Sequence, residues 1–358
     1  MGEPQLHAPT GSPREAPRRR PWSQAWLAAL PVSPVLGGVL LFVAHVALGL
    51  TLVGLLGDFG AEPGRVLRLL RESGFATVIF GLLIGYAPAA MAASERAQLR
   101  ALHDLRPALR ISPEGFEGLE RALTSFDLRE LRIAGTIAAL ATLAILFLDP
   151  GVQRTRRIDD PVILWNVWQN VLAGWLCTRT MSRELRASRF FSRIGDRYAE
   201  VGLFDLRPLA PFARRGIQGA LVAILMLSLF SLILLDRGAA RVAPLIQALV
   251  ILLGGVSLFL PMRGVHRRIA ANKRESLARI VERIARAEAA LVASSAGAEA
   301  DAATRLAALL ALRREIESAR EWPLEFSLLV RFGAVVAIGL LSSLGQVILE
   351  RILGAYLP

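Results

Sequence analysis

Residues 35–56 read VLGGVLLFVAHVALGLTLVGLL, which is 22 residues without a charged side chain. An α-helix rises about 1.5 Å per residue, so about 20 apolar residues cross the hydrocarbon layer of a bilayer, which is about 30 Å thick. The stretch is too long for the apolar part of a signal peptide, and no small-residue cleavage site accompanies it. It therefore predicts a retained first membrane span, with Ser33 and Pro34 at the N-cap and first-turn positions of the helix.

Six further apolar runs follow this one along the chain. The 358 residues are 54% hydrophobic, with a mean hydropathy of +0.47, and this exceeds what a soluble chain of that length normally carries. The sequence therefore predicts an all-α fold, a polytopic transmembrane helical bundle of about seven spans. The runs are 35–56, 75–93, 133–148, 162–178, 217–235, 242–262 and 332–349.

Positive charge is concentrated in alternate connections between the runs. Segments 1–32, 94–132, 179–216 and 263–324 carry 4, 7, 9 and 12 basic residues, whereas 57–74, 149–161, 236–241 and the tail from 350 carry 3, 3, 2 and 1. Basic residues near spans are retained in the cytoplasm, so we expect the amino terminus inside and the carboxyl terminus outside. The last run is shorter and begins after Arg331, so a six-span alternative has it on the surface or re-entrant.

This charge pattern divides the chain into four parts. Residues 1–32 form a basic tail expected to be disordered, 33–262 a six-span membrane domain in three hairpins, 263–324 a cytoplasmic coiled-coil hairpin, and 325–358 the final span with a short outer tail. The bias to Ala, Arg, Gly and Leu, with Lys273 as the single lysine, is typical of a GC-rich bacterial genome. We therefore expect a multi-pass protein of the bacterial inner membrane.

The cytoplasmic hairpin is predicted from apolar residues three and four positions apart, the spacing of a coiled-coil seam. A break at 294–297 separates its two helices. The hairpin is either a stalk that covers its own apolar stripe or a subunit contact or gate. The seam residues are Leu277, Ile280, Ile284, Ala287 and Leu291 on the first helix, with Leu309, Leu312 and Ile316 on the second.

A tetrapeptide, Asp-Leu-Arg-Pro, occurs at 104–107 and again at 205–208. Its equivalent placement after the second and fourth runs is consistent with duplication of a two-span unit. The alternative is local, because an aspartate and a proline also cap or stop helices.

Polar residues within the spans are the candidate functional sites, because burying a polar group in hydrocarbon is costly unless it faces protein or water. Two sets share a helix face and form a candidate polar path. The alternative is that each set makes hydrogen bonds or close contacts between packed helices. The sets are Asn166, Gln169 and Asn170 in the fourth run and Gly339, Ser342, Ser343 and Gln346 in the last.

Two further features of the spans concern packing. His45 stands alone in the first run, and a lone intramembrane histidine is more often hydrogen-bonded to a neighbour than part of a proton relay. Small residues recur at every fourth position of the second run, which predicts a face that another helix approaches closely. This helix-packing face is Gly81, Gly85, Ala89 and Ala93.

Nothing in the sequence assembles a catalytic centre. The four histidines are far apart, and HExxH, Walker, GxSxG and cysteine-cluster motifs are lacking. We therefore expect no enzyme, no catalytic residue, no cofactor and no metal, with an intramembrane enzyme built from scattered polar residues as the alternative. The net charge of +12 does not predict nucleic-acid binding, because the basic residues lie between spans.

Two segments, LFDLRPLAPFARRG at 203–216 and EWPLEF at 321–326, resemble uncharacterised multi-spanning bacterial membrane proteins. The resemblance covers a small part of the chain and implies the same architecture without an activity. The polar residues in the spans favour a channel- or transporter-like conduit for an ion or small solute. The alternative is a non-transporting scaffold that recruits a cytoplasmic protein partner or anionic lipid. The expected partners are the lipid bilayer, a second copy in a homo-oligomer and that cytoplasmic protein, but no nucleic acid.

Overall fold

The computed structural model describes residues 33–56, 63–125, 128–148, 161–233, 243–292 and 299–322, together with residues 330 and 333. This part of the chain is all-α, and its β-structure is limited to one isolated antiparallel bridge between Leu109 and Ala199, so the predicted class is confirmed. The α-helices are α1 Pro34–Leu56, α2 Pro63–Leu105, α3 Pro113–Thr124, α4 Leu128–Leu148, α5 Pro161–Tyr198, α6 Ala210–Ile233, α7 Ala243–Val292 and α8 Glu299–Ser318.

Three stretches of the described helices are long and apolar enough to cross a membrane: Pro34–Leu52, Gly74–Ala108 and Arg207–Met226. The prediction of a helical membrane protein is confirmed at this level. The first stretch is the least enclosed, because 22% of its window is buried against 61% for the other two. At its start the Ser33 hydroxyl accepts a hydrogen bond from the Leu36 amide at 3.3 Å, which is the predicted cap.

The first six apolar runs lie on α1, α2, α4, α5, α6 and α7. The seventh, 332–349, lies outside the described residues except for residue 333, and so does the tail 1–32. The count of seven spans therefore stays a prediction.

Three helices continue unbroken past the ends of their apolar runs. α2, α5 and α7 contain 43, 38 and 50 residues, and 50 helical residues extend about 75 Å, more than twice the hydrocarbon thickness. The predicted boundary between residues 262 and 263 lies inside α7. We call the described parts of 94–132, 179–216 and 263–322 the basic layer, and those of the first six runs the apolar layer.

The basic layer has an apolar core of its own. Leu102 and Leu105 from α2, Phe191 from α5, Phe212 from α6 and Ile269 from α7 are fully buried in one cluster. The Phe191 and Phe212 rings meet edge to face with centroids 6.3 Å apart, a favourable aromatic geometry. The layer is therefore packed in the manner of a water-soluble domain and is continuous with the helices of the apolar layer.

Close contact between α5 and α7 depends on a glycine. A Cβ atom at Gly264 would collide with the Ser192 carbonyl oxygen, whereas one at Gly255, further up the same helix, would meet nothing within 4 Å. The two helices therefore touch backbone to backbone in the basic layer.

The two Asp-Leu-Arg-Pro copies fold as 3₁₀ turns, Arg106–Ala108 and Arg207–Leu209, which contact each other. The first copy ends α2, as expected of a helix stop. The second copy precedes α6, and the Asp205 carboxylate accepts a hydrogen bond from the Arg207 amide at 3.1 Å. Both placements are consistent with the expectation that the tetrapeptide caps or stops a helix, because a proline is also tolerated in the first turn of the next helix. The duplication stays a prediction.

α8 packs against the last part of α7. Ile280, Ile284 and Ile316 are buried between the two helices. The Lys273 ammonium donates to the Ala319 carbonyl at 3.0 Å, and the His266 ring stacks on Trp322 with centroids 4.3 Å apart. These contacts pair residues in opposite order along the chain, so α7 and α8 are antiparallel. A coiled-coil geometry and a cytoplasmic position remain predictions.

Candidate functional site

The predicted amide set of α5 is brought together by its own helix. The Gln169 amide donates to the Asn166 side-chain oxygen at 2.7 Å, and the Asn170 amide donates to the Asn166 carbonyl at 2.8 Å. Gln169 is fully buried. Both hydrogen bonds lie within α5, so they do not by themselves link α5 to another helix. The other predicted set, Gly339, Ser342, Ser343 and Gln346, lies outside the described residues.

His45 lies between α1 and α5 in the apolar layer. Its ring stacks on Trp165 with centroids 4.8 Å apart, and the Gln169 side chain interacts with it. The Trp165 indole donates to the Thr77 hydroxyl at 3.0 Å, and this hydrogen bond adds α2 to the group. The structure thus connects His45 with one amide of the predicted path, a link across more than 100 positions that sequence spacing could not indicate.

The small-residue face of α2 lies against α1. A Cβ atom at Gly85 would collide with the Gly38 carbonyl oxygen, and one at Gly81 would meet Phe42 at 3.1 Å. Ala89 also belongs to this contact, 2.9 Å from a Cβ atom at Gly38. Ala93 is exposed and lies beyond it.

A buried ion pair between α5 and α6 is the main polar feature that the sequence did not predict. Nη2 of Arg215 donates a hydrogen bond to Oε2 of Glu184. The Arg215 side chain is 0% exposed and the Glu184 side chain 1%. Gly219 lies beside the pair, since a Cβ atom there would be 3.4 Å from Glu184 Oε2 and 3.6 Å from Arg215 Nη1. Isolated buried charges are strongly unfavourable, so each group requires the other.

The hydrogen-bonding capacity around this ion pair exceeds what the described residues use. Glu184 Oε1, Arg215 Nε and Nη1, Ser188 Oγ and Ser257 Oγ are buried without a hydrogen-bond partner among the described residues. Buried polar atoms ordinarily pair with protein or ordered water. The cluster, at the junction of the apolar and basic layers, therefore has the chemistry of a hydrated polar pocket.

Arg183 connects α5 to the end of α3. Its guanidinium donates to the Leu123 carbonyl and, at 3.3 Å, to the Ser125 carbonyl. These carbonyls close the last turn of α3, where the helix leaves acceptors unpaired and carries partial negative charge. Burial lowers the pKa of Arg183 and the Glu95 carboxylate raises it, while arginine stays protonated in proteins. Arg183 therefore acts as a charged cap on a neighbouring helix.

Arg183, Glu184 and Arg215 lie in 179–216, which was predicted to be a connection between apolar runs. A signal was present, because the residues of 179–193 that carry charge recur at helical spacing directly after an apolar run, as in a continuing helix. Their burial could not be read in this way, because Glu184 and Arg215 are 31 positions apart.

No group of three or more histidine, cysteine, aspartate or glutamate side chains suited to a metal occurs in the described part of the chain. Comparison with protein-family models, curated proteins and solved structures finds no match to this chain.

Proposed function

We propose that this protein is a non-transporting membrane scaffold, in which the apolar helices anchor the basic layer at the membrane surface. The observation that carries the proposal is the core of the basic layer. Leu105, Phe191, Phe212 and Ile269 come from α2, α5, α6 and α7, so each of these membrane helices contributes directly to one packed unit. Because no flexible linker separates this unit from the helices that form it, the unit presents a fixed surface to a partner.

The hydrogen bonds of the amide set also favour the scaffold. Gln169 and Asn170 both bond to Asn166, and a water-lined path would be expected to leave such amides facing an aqueous space. The buried Gln169 side chain instead interacts with His45 of α1, and polar contacts between helices hold them together.

The topology that accompanies the proposal has seven spans, with the basic layer in the cytoplasm of a bacterium and the carboxyl terminus outside. The membrane placement is supported by apolar side chains that face outward from α4 and α7, and the orientation by the basic residues of 94–132, 179–216 and 263–324. Ile137, Leu140 and Leu252 are 62%, 60% and 63% exposed, and such side chains suit a lipid surrounding. The antiparallel α7–α8 pair is then the predicted cytoplasmic hairpin.

Cysteine labelling tests this topology. Ala278→Cys, exposed on α7, should resist an impermeant thiol reagent in intact cells and react after lysis, whereas Gly60→Cys in the predicted outer connection should react in both. Native Cys177 is buried and gives the background. Labelling of Ala278→Cys in intact cells would reverse the orientation.

A conduit is the second candidate function, and the polar cluster around Glu184 and Arg215 favours it. Partnerless buried atoms on Glu184, Arg215, Ser188 and Ser257 indicate internal water at the layer junction. A hydrated path for an ion or small solute could pass this cluster.

Flux into liposomes discriminates the two functions. The scaffold predicts that purified wild-type protein passes no ion or small solute faster than protein-free liposomes do. If instead flux is observed, Gly219→Leu should block a path beside the ion pair, because the new side chain enters that space. Gly255→Leu, where a Cβ meets nothing within 4 Å, is the matched control. Flux that Gly219→Leu abolishes and Gly255→Leu preserves would replace the scaffold by the conduit.

A further inference from the structure

An open cavity of about 400 Å³ lies between α3, α4 and α5 in the basic layer. Arg183, Arg186, Arg189 and Arg193 of α5 line it, and Glu130 of α4 is the carboxylate in its wall. Positions three and four apart share a face of a helix, so Arg186, Arg189 and Arg193 point from α5 toward the same space. The cavity belongs neither to the Glu184–Arg215 pair nor to the predicted polar path.

The charges of the cavity are unbalanced. Arg183 is used by the carbonyls at the end of α3, and Arg186 lies 3.3 Å from the Glu130 carboxylate. Glu95 is a further carboxylate that acts on Arg183. Arg189 and Arg193 are exposed, and no ion pair of theirs occurs among the described residues. Two guanidinium groups on neighbouring turns repel each other, and an anion between them would relieve that repulsion.

We propose that this cavity binds a phosphate group through Arg189 and Arg193, with Arg186 completing the site. The planar guanidinium group of arginine donates two parallel hydrogen bonds to a phosphate. Several guanidinium groups together therefore suit a phosphate, which has oxygens in a tetrahedral arrangement, better than they suit a single carboxylate ligand. The volume lies within the range of about 300 to 1,000 Å³ typical of small-molecule sites, so the phosphate can carry an attached group. Phe190, which also lines the cavity, offers that group an apolar surface.

The phosphate has two possible sources, and the position of the cavity admits both. Arg183 lies five residues beyond the run 162–178, about 8 Å further along the helix, and this is near the depth of lipid headgroups. Arg193 lies about 22 Å beyond the run and therefore in water. An anionic lipid would enter from the Arg183 end and a soluble phosphorylated solute from the Arg193 end. This placement rests on the proposed topology, whereas the phosphate chemistry does not.

Two binding measurements on the purified full chain separate these sources. In the first, the protein in phosphatidylcholine nanodiscs is titrated with inorganic phosphate by calorimetry. In the second, phosphatidylglycerol replaces part of the phosphatidylcholine, and the rise in melting temperature together with the lipid retained on extraction is measured. Saturable binding in the first indicates a soluble ligand, and retained lipid with a raised melting temperature in the second indicates a headgroup. Either result supports the site.

The double variant Arg189→Gln/Arg193→Gln should weaken whichever binding is found by about tenfold or more, which corresponds to about 1.4 kcal/mol. Both positions are exposed, so the melting temperature without ligand should be preserved. If it is not, the two single variants replace the double variant. Arg263→Gln/Arg268→Gln removes the same charge from exposed positions of α7 outside the cavity and should change binding by less than about twofold, since only general attraction is lost.

The proposal is overturned if wild-type protein binds neither probe, or if the α7 control loses as much binding as the cavity variant. Solute or ion flux into liposomes would contradict the scaffold function but not the phosphate site. Failure of both phosphate probes would remove the site without bearing on transport.

Discussion

The apolar and basic layers are held together by different interactions, although the same helices run through both. In the apolar layer α1 meets α2 through Gly38 and Gly85, and large apolar side chains such as Val43 remain 53% exposed. The basic layer also contains a close glycine contact, at Gly264, but it differs in that charged side chains bond across helices, as Arg183 does with α3. Lipid offers no hydrophobic drive for helix association, so packing there depends on close approach. Outside the membrane, the hydrophobic effect of water favours the burial of apolar side chains between helices.

Glu184 and Arg215 show where the two regimes meet. Their side chains are as buried as those of any apolar core residue, yet Gly219 and Ser257 beside them belong to apolar runs. The pair therefore has no contact with bulk solvent, and each of its charged groups depends on the other for stabilisation. Breaking it tests whether the junction is stabilised electrostatically.

The largest effect is expected for Arg215→Met. This change leaves the Glu184 carboxylate buried without its partner and should lower the free energy of unfolding by about 3 to 5 kcal/mol. Glu184→Leu/Arg215→Met removes both charges and should recover most of that loss, because two apolar side chains of similar volume need no pairing. Chemical denaturation of the detergent-solubilised protein measures both values.

Arg268→Met, at an exposed position of α7, is the control for arginine loss and should change stability by no more than about 0.5 kcal/mol. Equal stability of Arg215→Met and wild type would mean that the pair does not stabilise the junction. A double variant no better than Arg215→Met would point to lost packing instead of an unpaired charge.

A smaller effect on stability is expected at two glycines of α7, one in each layer. Gly264→Ala places a Cβ against the Ser192 carbonyl oxygen and should destabilise the protein by about 1 to 3 kcal/mol through overpacking. Gly255→Ala lies in the apolar layer, where the new Cβ meets nothing within 4 Å, and should gain up to about 1 kcal/mol from helix propensity. Thermal unfolding of the two variants side by side gives the sign of each. If both variants melt alike, α5 and α7 are not held at the distance described.

Several local expectations could be made from the sequence because their causes lie within a few residues. Ser33 stands before a proline and an apolar run, and its hydroxyl caps α1. The small residues of α2 at every fourth position predicted a close helix contact, and Gly81 and Gly85 lie against α1. The second Asp-Leu-Arg-Pro copy precedes α6, and Asp205 accepts a hydrogen bond from the Arg207 amide there, a placement that the expected role of capping or stopping a helix allows.

The length of the helices was the main feature that the apolar runs did not predict. Hydropathy marks where a helix can meet lipid, and it gives no signal when the same helix continues into a polar environment. α5 therefore continues to Tyr198 and enters the segment 179–216, whose nine basic residues had indicated a connection. Helical spacing of its charges was the available clue.

The sequence by itself determined the class of this protein, because the free energy of placing a helix in a bilayer is close to a sum over neighbouring residues. Only the tertiary structure decided which charged side chains are buried. Arg183 meets carbonyls 58 and 60 positions away, and Glu184 meets Arg215 31 positions away. Such contacts depend on how helices lie against one another, and the spacing of residues along one helix contains no information about that arrangement.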